Sequence, residues 1–156
     1  MLLALLPVLL AVLPTYGPIP APSPTTPAGM RIPTAPGEAL ILKSNSTNTA
    51  GYRLRVYAAG YTTLQQGDVA LRKRVSLQLV RQFFADLRAA GPLDRLPMRR
   101  CMKSASFGTT LQIVYEGKTS PDLSCPGTSR ALEIDAGALA DAAGVSLFPR
   151  PLRGVL

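Results

Sequence analysis

The chain has 156 residues, a length typical of one domain with tails. It carries 17 Lys and Arg against 9 Asp and Glu, for a formal net charge of +8, and it contains no His. The absence of His excludes His-ligated metal or haem sites and Ser-His-Asp or Cys-His catalysis. Its 2 Cys are too few for a four-thiolate zinc or iron–sulfur site. We therefore predict no metal site and no cofactor.

The first 13 residues are apolar and are interrupted only by Pro7. As a helix this run would be about 20 Å long, which is short of the roughly 30 Å core of a bilayer. The length is typical of a secretory signal peptide, and we interpret residues 1–21 as such a segment, which contacts the membrane only during export. The first basic residue is Arg31, which fits this interpretation poorly, so a buried apolar stretch stays open as the alternative.

Proline dominates the next segment, with 8 prolines between Pro14 and Pro36. Such a composition predicts an extended linker over residues 14–36, because proline cannot supply a ladder of backbone hydrogen bonds. A proline-motif ligand for another domain is the alternative. We expect one folded domain over residues 37–148 and a loose tail over residues 149–156.

Cys101 and Cys125 are the only cysteines. An even count in an exported chain predicts a disulfide, and this one would stabilise the fold by roughly 3 kcal/mol through loop-closure entropy. Two reduced thiols in a cytosolic core are the alternative. Together with the apolar N-terminal segment, the pair predicts a secreted or periplasmic location.

The first half of the domain has the pattern of strands. Residues 39–42 predict a first strand, residues 52–57 alternate with a period of two, and residues 61–66 can return as a hairpin after a turn at Ala59-Gly60. Residues 69–71 predict a further short strand. In the alternating strand, one face carries Tyr52, Leu54 and Val56, and the other carries Arg53 and Arg55.

A helix follows, with Ser76 as its expected N-cap and Gly91 as its stop. Its apolar stripe recurs at helical spacing at Val80, Phe83, Phe84 and Leu87.

Beyond this helix, residues 109–115 alternate again, Glu116-Gly117 predicts a hairpin turn, and Pro121 weakens the return strand over residues 118–123. Asp135 is the expected cap of a short helix over residues 136–143. The order predicts an α+β fold, in which an antiparallel sheet of about four to six strands packs against one main helix and one short helix.

Two basic clusters are the candidate binding residues. They are Arg72, Lys73 and Arg74 on the one hand, and Arg99, Arg100 and Lys103, which we call the loop cluster, on the other. With the positive net charge, they predict contact with a polyanion, either a nucleic acid or an anionic envelope polymer. No aromatic residue lies within either cluster, so stacking of bases is not predicted and no dedicated nucleic-acid motif is found. A solvated basic surface is the alternative.

Three patterns suggest catalysis, and each has a simpler interpretation. Gly117-Lys118-Thr119 resembles the end of a P-loop, but Gln112 stands where the motif needs Gly, so a hairpin turn is preferred. Lys103 lies close in sequence to Ser104 and Ser106 without the spacing of a Ser–Lys hydrolase. The carboxylates of a glycosidase would have to come from Asp122, Glu133, Asp135 and Asp141, whose spacing singles out no pair. We predict no catalytic residue.

The chain resembles a group of small exported bacterial domains of unknown function. The resemblance lies in the succession of Tyr52–Tyr57, Gly60-Tyr61, Val75-Ser76, Phe83-Phe84 and residues 111–117. The resemblance covers about residues 40–139 and implies an exported location, with no catalytic residues. The sequence thus predicts an exported, non-enzymatic domain that acts by binding or as an envelope component, with polyanion binding through the two basic clusters as the alternative. A hydrolase is the third hypothesis.

Overall fold

The computed structural model describes residues 34–145. The predicted signal segment, most of the predicted linker and the tail over residues 149–156 lie outside this range. The described elements follow in chain order as β1 (Glu38–Lys43), β2 (Tyr52–Tyr57), β3 (Tyr61–Gln66), β4 (Val69–Arg74), α1 (Leu77–Ala90), a 3₁₀ turn (Leu93–Arg95), β5 (Leu111–Tyr115), β6 (Lys118–Thr119) and α2 (Arg130–Ala143). The predicted α+β fold is confirmed.

The strands form one 6-stranded sheet in the order β4-β3-β2-β1-β5-β6, and every neighbouring pair is antiparallel. The predicted hairpins between β2, β3 and β4 are confirmed, and β4 runs to Arg74. The predicted return strand over residues 118–123 contains only Lys118–Thr119. Beyond Thr119 side chains replace the backbone carbonyls as partners of β5: Ser120 still donates its N–H to the carbonyl of Ile113, but the side-chain oxygens of Ser120 and Asp122 accept the N–H groups of Ile113 and Leu111.

The hydrophobic core lies between one face of the sheet and the two helices. Register places Leu54 of β2 opposite Ile41 of β1, and Ile41 opposite Ile113 of β5, so the three side chains share that face. All three are fully buried. Burial of such side chains contributes roughly 2 kcal/mol each, and this face therefore fixes the register of the central strands.

Helix α1 confirms the sequence prediction closely. Its buried residues are Val80, Phe83, Phe84 and Leu87, and Gly91 ends it with a φ of 71° while its N–H bonds to the carbonyl of Arg88. Ser76 occupies the N-cap position, but its side chain makes no capping hydrogen bond. Neither helix of residues 34–145 is long and apolar enough to span a bilayer.

Helix α2 begins six residues earlier than predicted, at Arg130, and Ser129 is its N-cap residue. Asp135 therefore lies inside the helix, and its prediction as a cap was wrong. The reason is that the apolar stripe of Ala136, Leu139 and Ala140 continues N-terminally to Leu132, which is also fully buried. Packing of this longer stripe against α1 overrides the preference of Asp for a cap.

The interface between the helices contains a pair of carboxyl groups. Asp135 is buried, and burial together with the neighbouring carboxyl of Asp86 on α1 raises the pKa of Asp135 to about 6. Gln82 donates a hydrogen bond of 3.0 Å to Asp86. The raised pKa means that the folded protein holds this proton more tightly than the unfolded chain does, whose Asp pKa is about 3.9.

The stabilising contribution of protonated Asp135 is thus complete below about pH 4 and is lost as the pH rises through about 6. We expect Asp135→Asn to raise the free energy of unfolding by about 1–2 kcal/mol at pH 7.5 and to change it little at pH 4. Urea unfolding at both pH values measures this. Asp68→Asn, in the exposed turn between β3 and β4, is the control of equal charge. An equal gain at both pH values would contradict the assignment.

Candidate anion-binding face

Strands β2, β3 and β4 present a second face, which points away from the helices. Cross-strand partners share a side of the sheet, so Arg55 of β2, Thr63 of β3 and Arg72 of β4 lie in one row. We call this surface of β2–β4 the open face. On the same side, Leu40 of β1 and Val114 of β5 are buried, and Leu42 and Gln112 are only partly exposed. The polar and aromatic side chains that the open face offers to a ligand are those of Arg53, Arg55, Tyr57, Tyr61, Thr63, Gln65, Arg72 and Arg74.

An aromatic stack crosses the open face and holds one of its arginines. Tyr57 and Tyr61 are cross-strand partners whose rings lie 4.3 Å apart, nearly parallel at 20°. The guanidinium carbon of Arg72 lies 3.9 Å from the centroid of the Tyr61 ring. Stacking on an aromatic ring orders a guanidinium without neutralising it, and it leaves the N–H donors available to a ligand.

The first basic cluster, Arg72, Lys73 and Arg74, which we now call the β4 cluster, is divided between the two faces. Arg72 and Arg74 lie on the open face, whereas Lys73 points to the helix side, since successive residues of a strand alternate. The Nζ of Lys73 lies 3.8 Å from where a Cβ would stand at Gly144, the C-cap of α2. A cation is favoured there by the negative end of the helix dipole.

A groove of about 690 Å³ runs beside the cluster and is lined by Ala59, Gly60, Tyr61, Arg72, Lys73, Arg74, Val75 and Leu77.

Charge on the open face is largely uncompensated. Arg55 forms an ion pair with Glu38 of β1. Within residues 34–145, Arg53, Arg72 and Arg74 form no ion pair, and all three side chains are exposed. The open face therefore combines exposed arginines with a tyrosine stack.

Lys103 of the loop cluster is engaged within the protein. Its Nζ lies 2.5 Å from Oδ2 of Asp122 and donates hydrogen bonds to the carbonyl of Thr109 and to the hydroxyl of Ser124. Desolvation raises the pKa of Asp122, but hydrogen bonds from Lys103, the Leu111 N–H and Ser124 outweigh it and hold the pKa below its usual value. Lys103 thus anchors its loop to the start of β5.

Arg99 and Arg100 are exposed, and Arg99 passes over Gly127, with its Nε 3.7 Å from the position of a Cβ there. Their loop leads into β5, which is separated from β4 by β3, β2 and β1. At about 4.8 Å per strand, the sheet places β4 about 19 Å from β5. The structure therefore does not bring the two predicted basic clusters together.

The predicted disulfide is present. Cys101 and Cys125 are joined with a Cα–Cα distance of 5.5 Å, and no free cysteine remains. It ties the loop that carries Arg99 and Arg100 to the segment before α2. A disulfide is compatible with an oxidising, exported environment.

The catalytic patterns separate in the structure. Glu116 and Gly117 both have positive φ, 50° and 69°, and lead into β6, so the P-loop pattern is a hairpin turn. The Nζ of Lys103 donates a hydrogen bond to the hydroxyl of Ser124 and pairs with Asp122, and within residues 34–145 it forms no hydrogen bond with Ser104 or Ser106.

The four candidate carboxylates also take separate roles. Asp122 binds Lys103, and Asp135 lies beside Asp86. Asp141 adds to the effect of burial in raising the pKa of Tyr52. Glu133 lies in the first turn of α2. Within residues 34–145, no group of three or more Cys, Asp or Glu is arranged to hold a metal ion.

Sequence reasoning missed the contribution of Tyr57, Tyr61 and Arg53 to the candidate site. It placed Arg53 on the face opposite Leu54, correctly, but considered aromatic residues only within each cluster. Tyr61 is eleven positions before Arg72 in the chain, and hairpin pairing makes them diagonal neighbours. The hairpin prediction contained part of the signal, because a turn at Gly67-Asp68 pairs 63 with 72. The first turn spans residues 58–60, one residue more than the predicted Ala59-Gly60, and this extra residue is what pairs Tyr57 with Tyr61.

Comparison with known proteins gives no relative: no protein family, no curated protein and no solved structure matches the chain.

The contact with Tyr61 predicts that the Arg72 guanidinium has restricted mobility. Tyr61→Leu removes the aromatic surface, so we expect the stacked population of the Arg72 guanidinium to fall about two- to fivefold, as the loss of about 0.5–1 kcal/mol implies. Tyr61→Phe is the matched control and should preserve the order. Relaxation of ¹⁵N at Arg72 Nε measures both variants, and indistinguishable mobility in the two would contradict a role for the ring.

Proposed function

We propose that this protein is an exported, non-enzymatic binding domain that holds an anionic polymer on its open face. The observation that carries the proposal is the stack of Tyr57, Tyr61 and Arg72. The same face carries the exposed side chains of Arg53 and Arg74, which form no ion pair within residues 34–145. A pre-ordered guanidinium loses little conformational freedom when it binds phosphate, sulfate or carboxylate groups.

The spread of the cations favours a polymer over a small anion. Arg53 and Arg74 lie two strands apart, and their rows are four residues apart along the sheet. With about 3.3 Å per residue and 4.8 Å per strand, about 16 Å separates them. One small anion cannot contact both, whereas a chain of regularly spaced negative charges can.

Two further observations support the other parts of the proposal. The disulfide is compatible with export, in line with the predicted signal segment. Engagement of Lys103 by Asp122 occupies the lysine that was considered beside Ser104 and Ser106, and this argues against a Ser–Lys hydrolase built on it. The polymer is either a nucleic acid or an anionic envelope polymer, as the sequence predicted, and both present the charges that arginine binds.

Polyanion binding predicts a strong dependence on salt. With a 20-base-pair DNA duplex as probe, each phosphate contact contributes about −0.9 to the slope of log affinity against log salt. We expect Arg72→Gln combined with Arg74→Gln to reduce the slope by about 1.8 and to weaken binding at low salt. Fluorescence anisotropy across a salt series measures both quantities. Inorganic polyphosphate, titrated in parallel, reports whether a simple phosphate polymer suffices.

The matched control is Arg81→Gln combined with Arg130→Gln, which removes the same charge from exposed positions at the helices. It should leave the slope nearly unchanged. An Arg99→Gln and Arg100→Gln variant probes the loop cluster. A flat salt response of the native protein, or equal losses in all three variants, would contradict binding at the open face.

Export predicts a defined mass for the mature protein. We expect material from the native host to lack about the first 20 residues, because signal peptidase removes such a segment, and to gain two hydrogens on reduction. Intact-mass spectrometry with and without reductant measures both. Recovery from the cytosol with the first residues retained and both thiols free would contradict the exported location.

A further inference from the structure

Strand β4 forms an edge of the sheet that is open along its whole length. It pairs with β3 on one side, and no strand of residues 34–145 pairs with its other side. All 6 of its residues are exposed. An exposed edge offers unpaired N–H and C=O groups to another extended chain.

The outward groups can be assigned from the ladder. Val75, directly after β4, donates its N–H to the carbonyl of Gly60 over 3.1 Å, toward β3. Backbone direction alternates along an antiparallel strand, so the N–H and C=O groups of Leu71 and Lys73 also point to β3. Those of Ala70, Arg72 and Arg74 therefore point to the free edge.

The side chains beside this edge combine apolar surface with positive charge. Val69 is 68% exposed and Leu71 is 50% exposed, both on the helix side of the sheet. Arg72 and Arg74 flank the same edge on the open face. Native edges are commonly protected by being short or covered, but this one exposes apolar side chains, and the protection it has is its positive charge.

We infer that the edge of β4 accepts an extended acidic peptide, which adds to the sheet as a seventh, antiparallel strand. Charge complementarity selects the occupant: carboxylates opposite Arg72 and Arg74 on the open face, and apolar side chains opposite Val69 and Leu71 on the other. Main-chain hydrogen bonds supply affinity in this mode of recognition, and alternate side chains supply specificity. The inference rests on the proposed role of Arg72 and Arg74 in binding an anionic ligand.

A second copy of this chain is a poorer occupant. Pairing two β4 strands about a two-fold axis would bring Arg72, Lys73 and Arg74 of both copies into one short ladder. Like charges on facing strands are destabilising, and cationic edges oppose such association.

Backbone methylation of a peptide tests strand addition directly. The probe is a capped Glu-Thr-Glu-Val-Thr-Val peptide, whose first and third positions face Arg74 and Arg72. N-methylation at its third and fifth positions removes N–H groups that face β4, and we expect binding to weaken at least about tenfold. N-methylation at its second and fourth positions removes only outward N–H groups and should be tolerated. Amide chemical shifts of Ala70, Arg72 and Arg74 measure binding.

The protein offers a complementary variant. Ala70→Pro removes an edge N–H but no charge and no bond to β3, since proline is tolerated on edge strands. We expect it to abolish peptide binding and to leave binding of the DNA duplex unchanged. If the variant loses the β3–β4 hairpin, the two methylated peptides decide the question with the native protein.

Equal weakening by the two methylation patterns would overturn strand addition and leave charge attraction alone. Failure of the peptide with retained salt-dependent DNA binding would overturn the inference while the proposed function stands. Failure of both would overturn both. Self-association through β4, seen in sedimentation as a dimer that Ala70→Pro abolishes, would overturn the acidic peptide as the occupant.

Discussion

The period of two along β2 is the constraint on which the rest of the structure depends. Leu54 and Val56 are fully buried under the helices, so Arg53 and Arg55, the residues that alternate with them, must point away from the core. A slip of one residue in register would bury two arginines and expose the apolar side chains. The energy that builds the core therefore also fixes the cationic surface.

Cations of the open face and of the loop differ in how the fold holds them. The side chain of Lys103 is held in place, and its charge is compensated, by an ion pair with Asp122. Arg72 is ordered by Tyr61 but keeps its charge available to solvent. A ligand that displaced Lys103 would leave a partly buried carboxylate without its counterion, whereas a ligand at Arg72 would break no ion pair.

Local pattern was enough to predict most of the fold, because β2, β5 and α1 carry their own periods and turn residues mark the ends of the other predicted strands. Prediction failed at Asp135, a residue type that favours helix caps but here lies inside α2. The N-terminal part of this helix, back to Leu132, is stabilised only by its packing against α1, which the local sequence does not show. Only the arginines of β2 could be placed on the open face from the sequence. The alternation of Arg53 and Arg55 was visible in sequence, but the stack of Tyr61 on Arg72 requires β3 and β4 to be placed side by side, and no property of either residue alone indicates it.

The position of the β4 cluster gives its charge two effects at once. β4 is an edge strand of the sheet, and its apolar side chains Val69 and Leu71 are exposed. Such edges favour association with other extended chains. Arg72, Lys73 and Arg74 oppose contact with a like edge and attract a chain of opposite charge. A neutral polar sequence would solubilise the edge without this selectivity, because it would oppose all partners similarly. In the proposed mode of binding, the cationic edge therefore discriminates among extended chains by charge, and the neighbouring stack of Tyr57 and Tyr61 holds one of its cations, Arg72, in place.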